Sequence, residues 1–219
     1  MRTIVVASAK GGVGKTTIAA ALAIEAARRG QRVAVADLDP LQCLARWHDS
    51  RRGLHDVVSI ALVEDVASGE QAVRVARHRG DIDWLIIDTA PGPAGRAQSA
   101  FKIADLVVIP VRPSPLDVQC LDAVLELADI ADAQHLVVLN GAAVGSPLIP
   151  GARAYLDGRS IAAWERELPG DDAFAVAMLD GHTVTELEKG SEAAQAIAAL
   201  WTHVERTVSE KRIARRSSP

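Results

Sequence analysis

Apolar runs bounded by turn residues recur along the chain at 3 to 8, 32 to 37, 57 to 63, 83 to 88, 105 to 111 and 135 to 139. Runs this short and this apolar read as strands buried on both faces. Between most of them lie segments with helical spacing, such as Thr16 to Arg29, ended by Gly30, and Leu116 to Ala131. Strand and helix in alternation imply right-handed crossovers, hence an α/β fold with a mostly parallel sheet covered by helices on both faces. Near the end, Ser191 can cap a helix whose Ala194, Ile197, Leu200, Trp201, Val204 and Val208 share one face that packs on the sheet. There is no internal repeat, and the Gly/Pro-rich piece from Gly141 to Gly151 reads as a functional loop within one domain.

Composition narrows this picture. A chain of 219 residues with 49% hydrophobic and 24% charged positions can build one sizeable core and gives no case for disorder. Aromatics are only 3%, which suits close helix-on-sheet packing better than a surface for stacking bases. Cys43 and Cys120 are far apart and outside any C-x-x-C pair, so both read as reduced core residues rather than a disulfide or zinc site. The start, Met1-Arg2-Thr3 running into Ile4-Val5-Val6, lacks the pattern of an export signal, and no run approaches the roughly 20 apolar residues of a membrane span. The expected location is the cytoplasm. The net charge of -4 is uneven: from Val204 onward, Arg206, Lys211, Arg212, Arg215 and Arg216 face only Glu205 and Glu210, a local +3 that leaves -7 on the rest. The expected organisation is therefore one α/β domain over 1 to 208 and a basic tail over 209 to 219.

The strongest chemistry lies where the first strand turns into the first helix, at Lys10-Gly11-Gly12-Val13-Gly14-Lys15-Thr16-Thr17. Glycines let successive backbone N–H groups point inward, and a helix N-terminus adds partial positive charge, so the segment is a cradle for phosphate. Lys15 would reach the β- and γ-phosphates and the Thr16 hydroxyl would take one position on Mg²⁺. Val33-Ala34-Val35-Ala36-Asp37-Leu38-Asp39-Pro40 is an apolar strand ending in two carboxylates. Asp39 could orient a water for in-line attack, while Asp37 reads equally as a turn-former or a functional group. Trp84-Leu85-Ile86-Ile87-Asp88-Thr89-Ala90-Pro91-Gly92 is a buried strand with Asp88 at its tip, placed to hold Mg²⁺ through water, followed by a switch-like loop in which Gly92 is free to move. Val137-Val138-Leu139-Asn140-Gly141 lacks the N-K-x-D that reads guanine, which favours ATP.

With Ala9 where the general phosphate-loop pattern has its first glycine and with a second lysine at Lys10, K-G-G-V-G-K-T-T resembles the deviant Walker A motif of the ParA/MinD superfamily, most like its small ParA-type partition ATPases. The resemblance covers the first two-thirds of the chain and implies a single-domain P-loop NTPase. It assigns phosphate binding to Gly11, Gly12, Val13, Gly14, Lys15, Thr16 and Thr17, catalysis to Lys10, Lys15 and Asp39, metal binding to Thr16 and Asp88, and base contacts to Asn140 and Pro113, the last two readable also as plain strand-end residues. Lys10 would reach across to the nucleotide of a second copy. Asp39-Pro40-Leu41-Gln42 differs from the usual Asp-Pro-Gln, so Gln42 is left out of the site.

The function implied is an ATP-dependent homodimerisation switch that hydrolyses ATP slowly, is stimulated by a ParB-like partner, binds non-specific DNA as the dimer, and partitions a plasmid, a chromosome or another cargo, making it nucleoid-associated when ATP is bound. Lys211, Arg212, Arg215 and Arg216 are either the DNA contacts or a solvated end, with Arg153 and Arg159 as other sources of positive charge. A MinD-like membrane switch would need a broad apolar face in the terminal helix, where Ile213 is almost alone, and a metabolic P-loop kinase or synthetase would need an acceptor site that no motif supplies. Cys43 and Cys120 do not fit the cluster-bridging cysteines of the nitrogenase iron-protein branch.

Overall fold

The computed structural model describes residues 1 to 54, 58 to 92, 96 to 143 and 145 to 217, with the side chains of 96 and 211 to 217 outside the description. Seven strands, β1 (Arg2–Val6), β2 (Val33–Asp37), β3 (Ala61–Val63), β4 (Trp84–Asp88), β5 (Leu106–Val111), β6 (His135–Ala142) and β7 (Ala163–Pro169), form one sheet in the order β3-β2-β4-β1-β5-β6-β7. Every pairing in it is parallel. The helices are α1 (Lys15–Arg28), α2 (Cys43–Ser50), α3 (Gly69–His78), α4 (Arg96–Phe101), α5 (Pro115–Gln119), α6 (Asp122–Ile130), α7 (Leu148–Gly158), α8 (Ala173–Leu179), α9 (Val184–Leu187) and α10 (Glu192–Ser217).

Side-chain alternation along the strands divides the core into two layers. Ile4, Val6, Val33, Val35, Trp84 and Ile86 face α1, α2 and α10, while Val5, Ala34, Ala36, Leu85 and Ile87 face α3, α4, α6 and α7. Helix α1 is buried along most of its length because small alanines let it lie close between the sheet and α10. The expected face of the last helix, with Ile197, Leu200, Trp201, Val204 and Val208, is fully buried, and Trp201 meets Trp84 edge to face at 4.8 Å. Its backbone continues as helix to Ser217, through the basic stretch.

Several expectations need correction. The helix read as Leu116 to Ala131 is two, α5 and α6, separated at Cys120 and Leu121. Gly141 to Gly151 is not one loop: β6 runs through Ala142, and α7 begins at Leu148. The strand read as 57 to 63 is regular only over Ala61–Val63, and its first residue lies outside the described ones. Cys43 is exposed and Cys120 half-buried, so neither is a core residue. Strand β7 carried no apolar run because it is an edge: Trp164 and Leu168 point inward, whereas Glu165 and Arg166 stand in solvent and protect the edge with charge.

Candidate nucleotide site

The central strands deliver the site. Because β1 lies between β4 and β5, and β2 pairs β4, the carboxyl ends of all four meet at one rim. The loop after β1 turns with Gly12 at φ 72° and Gly14 at φ 90°, left-handed conformations that favour glycine. Gly14 is also the N-cap of α1 and gives it no side-chain cap, so the first N–H groups of α1 stay available to an anion.

Lys15, the first residue of α1, is buried, and its ammonium is pulled below the usual lysine range by burial, opposed by the charges of Asp88 and Asp39. The next residue, Thr16, donates its hydroxyl to Asp88 Oδ2 at 2.6 Å. Asp88 is almost fully buried at the tip of β4, and burial pushes its carboxyl up to about 7, with the Thr16 hydroxyl acting against the rise and the nearby Asp37 charge adding to it. Its Oδ1 is buried without a hydrogen-bond partner among the described residues. An orphaned carboxylate oxygen beside a hydroxyl is the hard oxygen donor set that suits Mg²⁺ with its retained waters. These residues therefore fit a Mg-nucleotide.

Asp37 and Asp39 divide their work. Buried Asp37 accepts from the backbone N–H of Asp39, Leu44 and Ala45 at 2.9, 2.8 and 3.1 Å and so caps α2 from outside that helix. Its carboxyl is nonetheless raised, chiefly by burial. Asp39 is partly exposed; its side chain accepts from the N–H of Leu41 at 2.9 Å and its carbonyl from the N–H of Gln42 at 2.9 Å. Gln42 sits at the start of α2 with φ 55° and is exposed.

The loop after β4 is tied to the phosphate loop through Gly92, whose N–H donates to the Ser8 carbonyl at 2.9 Å, while the Ser8 hydroxyl donates to the Lys10 carbonyl at 2.6 Å. On the opposite side, Asn140 donates its amide to the Val13 carbonyl at 2.7 Å and lies where a Cβ on Gly14 would be, 2.4 Å away. Pro113 instead lines an apolar cavity of about 210 Å³ between α5 and α7, with Val118, Leu148 and Tyr155; its lining includes neither Asn140 nor the phosphate loop.

Two residues that sequence reading missed stand at the same rim. Arg112 donates to the Gly12 carbonyl at 3.0 Å, and Asp117 pairs with Lys10 at 2.6 Å. The one signal for Asp117 was Ser114 three residues before it, a helix-capping spacing. Arg153 and Arg159 are engaged within the chain: Arg153 donates to the carbonyls of Trp164 and Arg166 on β7, and Arg159 to Asp122 and Tyr155.

A sheet of this order with a two-lysine glycine loop, a hydroxyl-bonded aspartate at the tip of β4 and a partly exposed aspartate after β2 defines a P-loop nucleotide-binding domain. The chain belongs to the CobQ/CobB/MinD/ParA nucleotide binding domain family, whose model matches residues 4 to 209 and whose ParA/MinD members are P-loop ATPases. It is 30% identical over 204 residues to maintenance of carboxysome distribution protein A of Gloeobacter kilaueensis, covering 90% of this chain and 89% of that protein. It is 32% identical to Protein ParA of Rhizobium radiobacter over 146 residues, 64% of each chain, so this match spans just under two-thirds of that relative. Among solved structures, the MinC:MinD cell division complex of Aquifex aeolicus superposes with TM-score 0.78 at 23% identity over 94% of this chain and 96% of that one, which is a likeness of fold. Among the described residues, no helix is long and apolar enough to cross a membrane.

Proposed function

We propose that the chain is an ATP-dependent dimerisation switch that positions DNA or another cargo and resets itself by slow hydrolysis of ATP. The observation that carries this reading is the division of labour between two lysines in one loop: Lys15 is buried at the start of α1, whereas Lys10 stands at the rim with 40% of its side chain exposed. A buried lysine serves its own nucleotide; a rim lysine is placed to serve another. In a face-to-face dimer, Lys10 of each copy would neutralise phosphate charge on the other. A relative named for maintenance of carboxysome distribution supports the cargo side of the reading.

Gly11 to Thr17 would cradle the phosphates, with Lys15 on the β- and γ-oxygens. Thr16 and Asp88 would hold Mg²⁺, Asp88 through water by its unpartnered oxygen, and the ion would supply charge neutralisation at the β- and γ-phosphates. Asp39 is assigned the attacking water, which its partly exposed carboxylate suits. Asn140 and Pro113 are assigned to the adenine side. Loss of the γ-phosphate would release the Asp88-to-Gly92 segment, and with it the Gly92–Ser8 bond that braces the Lys10 backbone. Non-specific DNA is assigned to the basic segment from 209 onward, doubled in the dimer, and acceleration of hydrolysis to a ParB-like partner.

The test is binding to non-specific duplex DNA with ATP, ADP or no nucleotide, for wild type and Lys15→Ala, across a salt series. Binding that needs ATP, disappears in the variant and weakens steeply with salt supports the switch. Absence of binding in every state removes DNA from the reading, and detection of a phosphorylated product other than ADP and free phosphate would replace it with a metabolic enzyme.

A further inference from the structure

At the end of the strands opposite the nucleotide rim, a cleft of about 600 Å³ opens between α3 and the amino ends of β1 and β5. Half-buried Val73 and Ile103 contribute apolar lining, and Arg74, Arg77 and His78 form the α3 wall. Buried Ala72 and Ala76 hold α3 on the sheet and leave residues 74, 77 and 78 exposed on one stripe, at i, i+3 and i+4. His78 Nδ1 donates to the Arg74 carbonyl at 2.7 Å, which fixes the imidazole to the same stripe.

Like charges side by side on a helix repel. Elsewhere the chain answers exposed arginines with carboxylates: Arg32 with Asp81 and Asp83, Arg52 with Asp49, Arg159 with Asp122. Arg74 and Arg77 make no ion pair among the described residues, although Glu70 and Asp105 line the same cleft. Both acids are committed elsewhere. Asp105 accepts from the Thr3 N–H at 2.8 Å and donates its own N–H to the Thr3 carbonyl at 2.8 Å, while Glu70, in the first turn of α3, answers the positive end of that helix. The negative end of α3 accounts for Arg77 and His78, which lie in its last turn, but not for Arg74. Exposed Lys102, beside Ile103, adds a third cation without an ion pair among the described residues.

We propose that this cleft binds the phosphate group of a small phosphate ester on Arg74 and Arg77, at a site separate from the nucleotide cradle and independent of whether two copies pair. Guanidinium forks match phosphate oxygens two at a time, and a cavity of this volume takes a small ligand. A duplex backbone fits less well, because Glu70 and Asp105 set negative charge in the path of an unbroken row of phosphates, whereas a single ester need meet only the arginine wall.

The experiment is titration of the chain with phenyl phosphate at matched ionic strength, followed in proton–nitrogen correlation spectra, with Mg-ADP present to fill the phosphate loop. A short duplex DNA is titrated in parallel, and thermal melts are the fold control. Phenyl phosphate is expected to shift the amides of 73 to 79 and 103 to 105 saturably. Arg74→Ala with Arg77→Ala should weaken this binding about four- to twenty-five-fold, at about two- to five-fold for each exposed charge contact. Glu70→Gln, which removes an opposing carboxylate, should tighten it about two-fold, a gain that a poorly folded variant would not give. Shifts confined to the phosphate loop, no saturable shift at all, or equal affinity in the double variant overturns the site. Shifts of the α3 amides by the duplex but not by phenyl phosphate also overturn it and make α3 a nucleic-acid surface.

Discussion

The ion pair between Arg51 and Glu186 can be broken with a calculable cost. Arg51 closes α2, and its guanidinium donates to Glu186 Oε1 at 2.7 Å and Oε2 at 2.9 Å, to the Gly181 carbonyl at 2.6 Å and to the Val58 carbonyl at 2.9 Å, with its carbon 4.9 Å from the Trp47 ring centre. Both side chains are buried, at 6% and 7% exposure, and Glu186 also accepts from the Thr183 N–H at 2.9 Å. Arg51→Met would leave a buried carboxylate with only the Thr183 hydroxyl and backbone donors, and Glu186→Gln would leave a buried guanidinium without its counter-charge. Removing one partner of such a pair costs about 3 to 5 kcal/mol. Replacing both, as in Arg51→Met with Glu186→Leu, should cost well below the sum, because no charge is left stranded. Urea unfolding followed by far-ultraviolet circular dichroism, with the slope on urea unchanged, measures all three. Glu186 also gives the series a pH signature. Burial acts to raise its carboxyl, but the Arg51 hydrogen bonds and charge win and hold it below the usual range. A depressed acid contributes stability above its unfolded value near 4.3, and that stability is lost as pH falls through the lower folded value. The deficit of Glu186→Gln should therefore be full at pH 7 and shrink below about pH 4. Single variants costing under about 1 kcal/mol, or strictly additive singles, would refute the reasoning.

At the candidate site, Thr16→Ala and Asp88→Asn should each weaken nucleotide binding much more in Mg²⁺ than in a chelator, because they remove the hydroxyl and the unpartnered oxygen assigned to the ion. Titration of a fluorescent ATP analogue with and without Mg²⁺ reads the ratio, and equal losses in both would remove these residues from the metal. Gly69→Ala should cost about 1 to 3 kcal/mol in urea unfolding, and a loss under about 0.5 kcal/mol would refute the clash. Its new Cβ would come within 2.5 Å of Ala100 Cα, where α3 crosses α4, and backbone there cannot yield cheaply.

Legibility in the sequence followed the range of the interaction. The phosphate loop could be read because strand, glycines and helix start are contiguous, and the four central strands because burial on both faces leaves uninterrupted apolar runs. The Thr16–Asp88 bond spans 72 residues, yet both ends carried local signatures, so the pair was accessible. Asp37 was ambiguous because its partners, the N–H groups of Leu44 and Ala45, belong to a helix whose start bears no capping side chain of its own. The Lys10–Asp117 pair spans 107 residues, and only Lys10 belonged to a motif. Strand β7 was hidden by edge chemistry, and the break between α5 and α6 by the absence of Gly or Pro at Cys120 and Leu121. Nothing local marks Arg51 and Glu186, 135 residues apart, as a buried pair.

The strand order makes β1 the hinge between two kinds of contact. On its β4 side the phosphate loop meets Asp88 through Thr16, and the segment after β4 returns to the loop through Gly92 and Ser8. On its β5 side the same loop meets Arg112 through Gly12 and Asp117 through Lys10. A nucleotide with its metal would engage the β4 side, whereas a second copy would compete for Lys10 on the β5 side. Ser8 lies between the two, accepting from Gly92 and donating to the Lys10 carbonyl. Under the proposed switch, the state of the γ-phosphate and the freedom of Lys10 therefore share one short backbone segment, and loading and pairing would be coupled without any long-range rearrangement of the sheet.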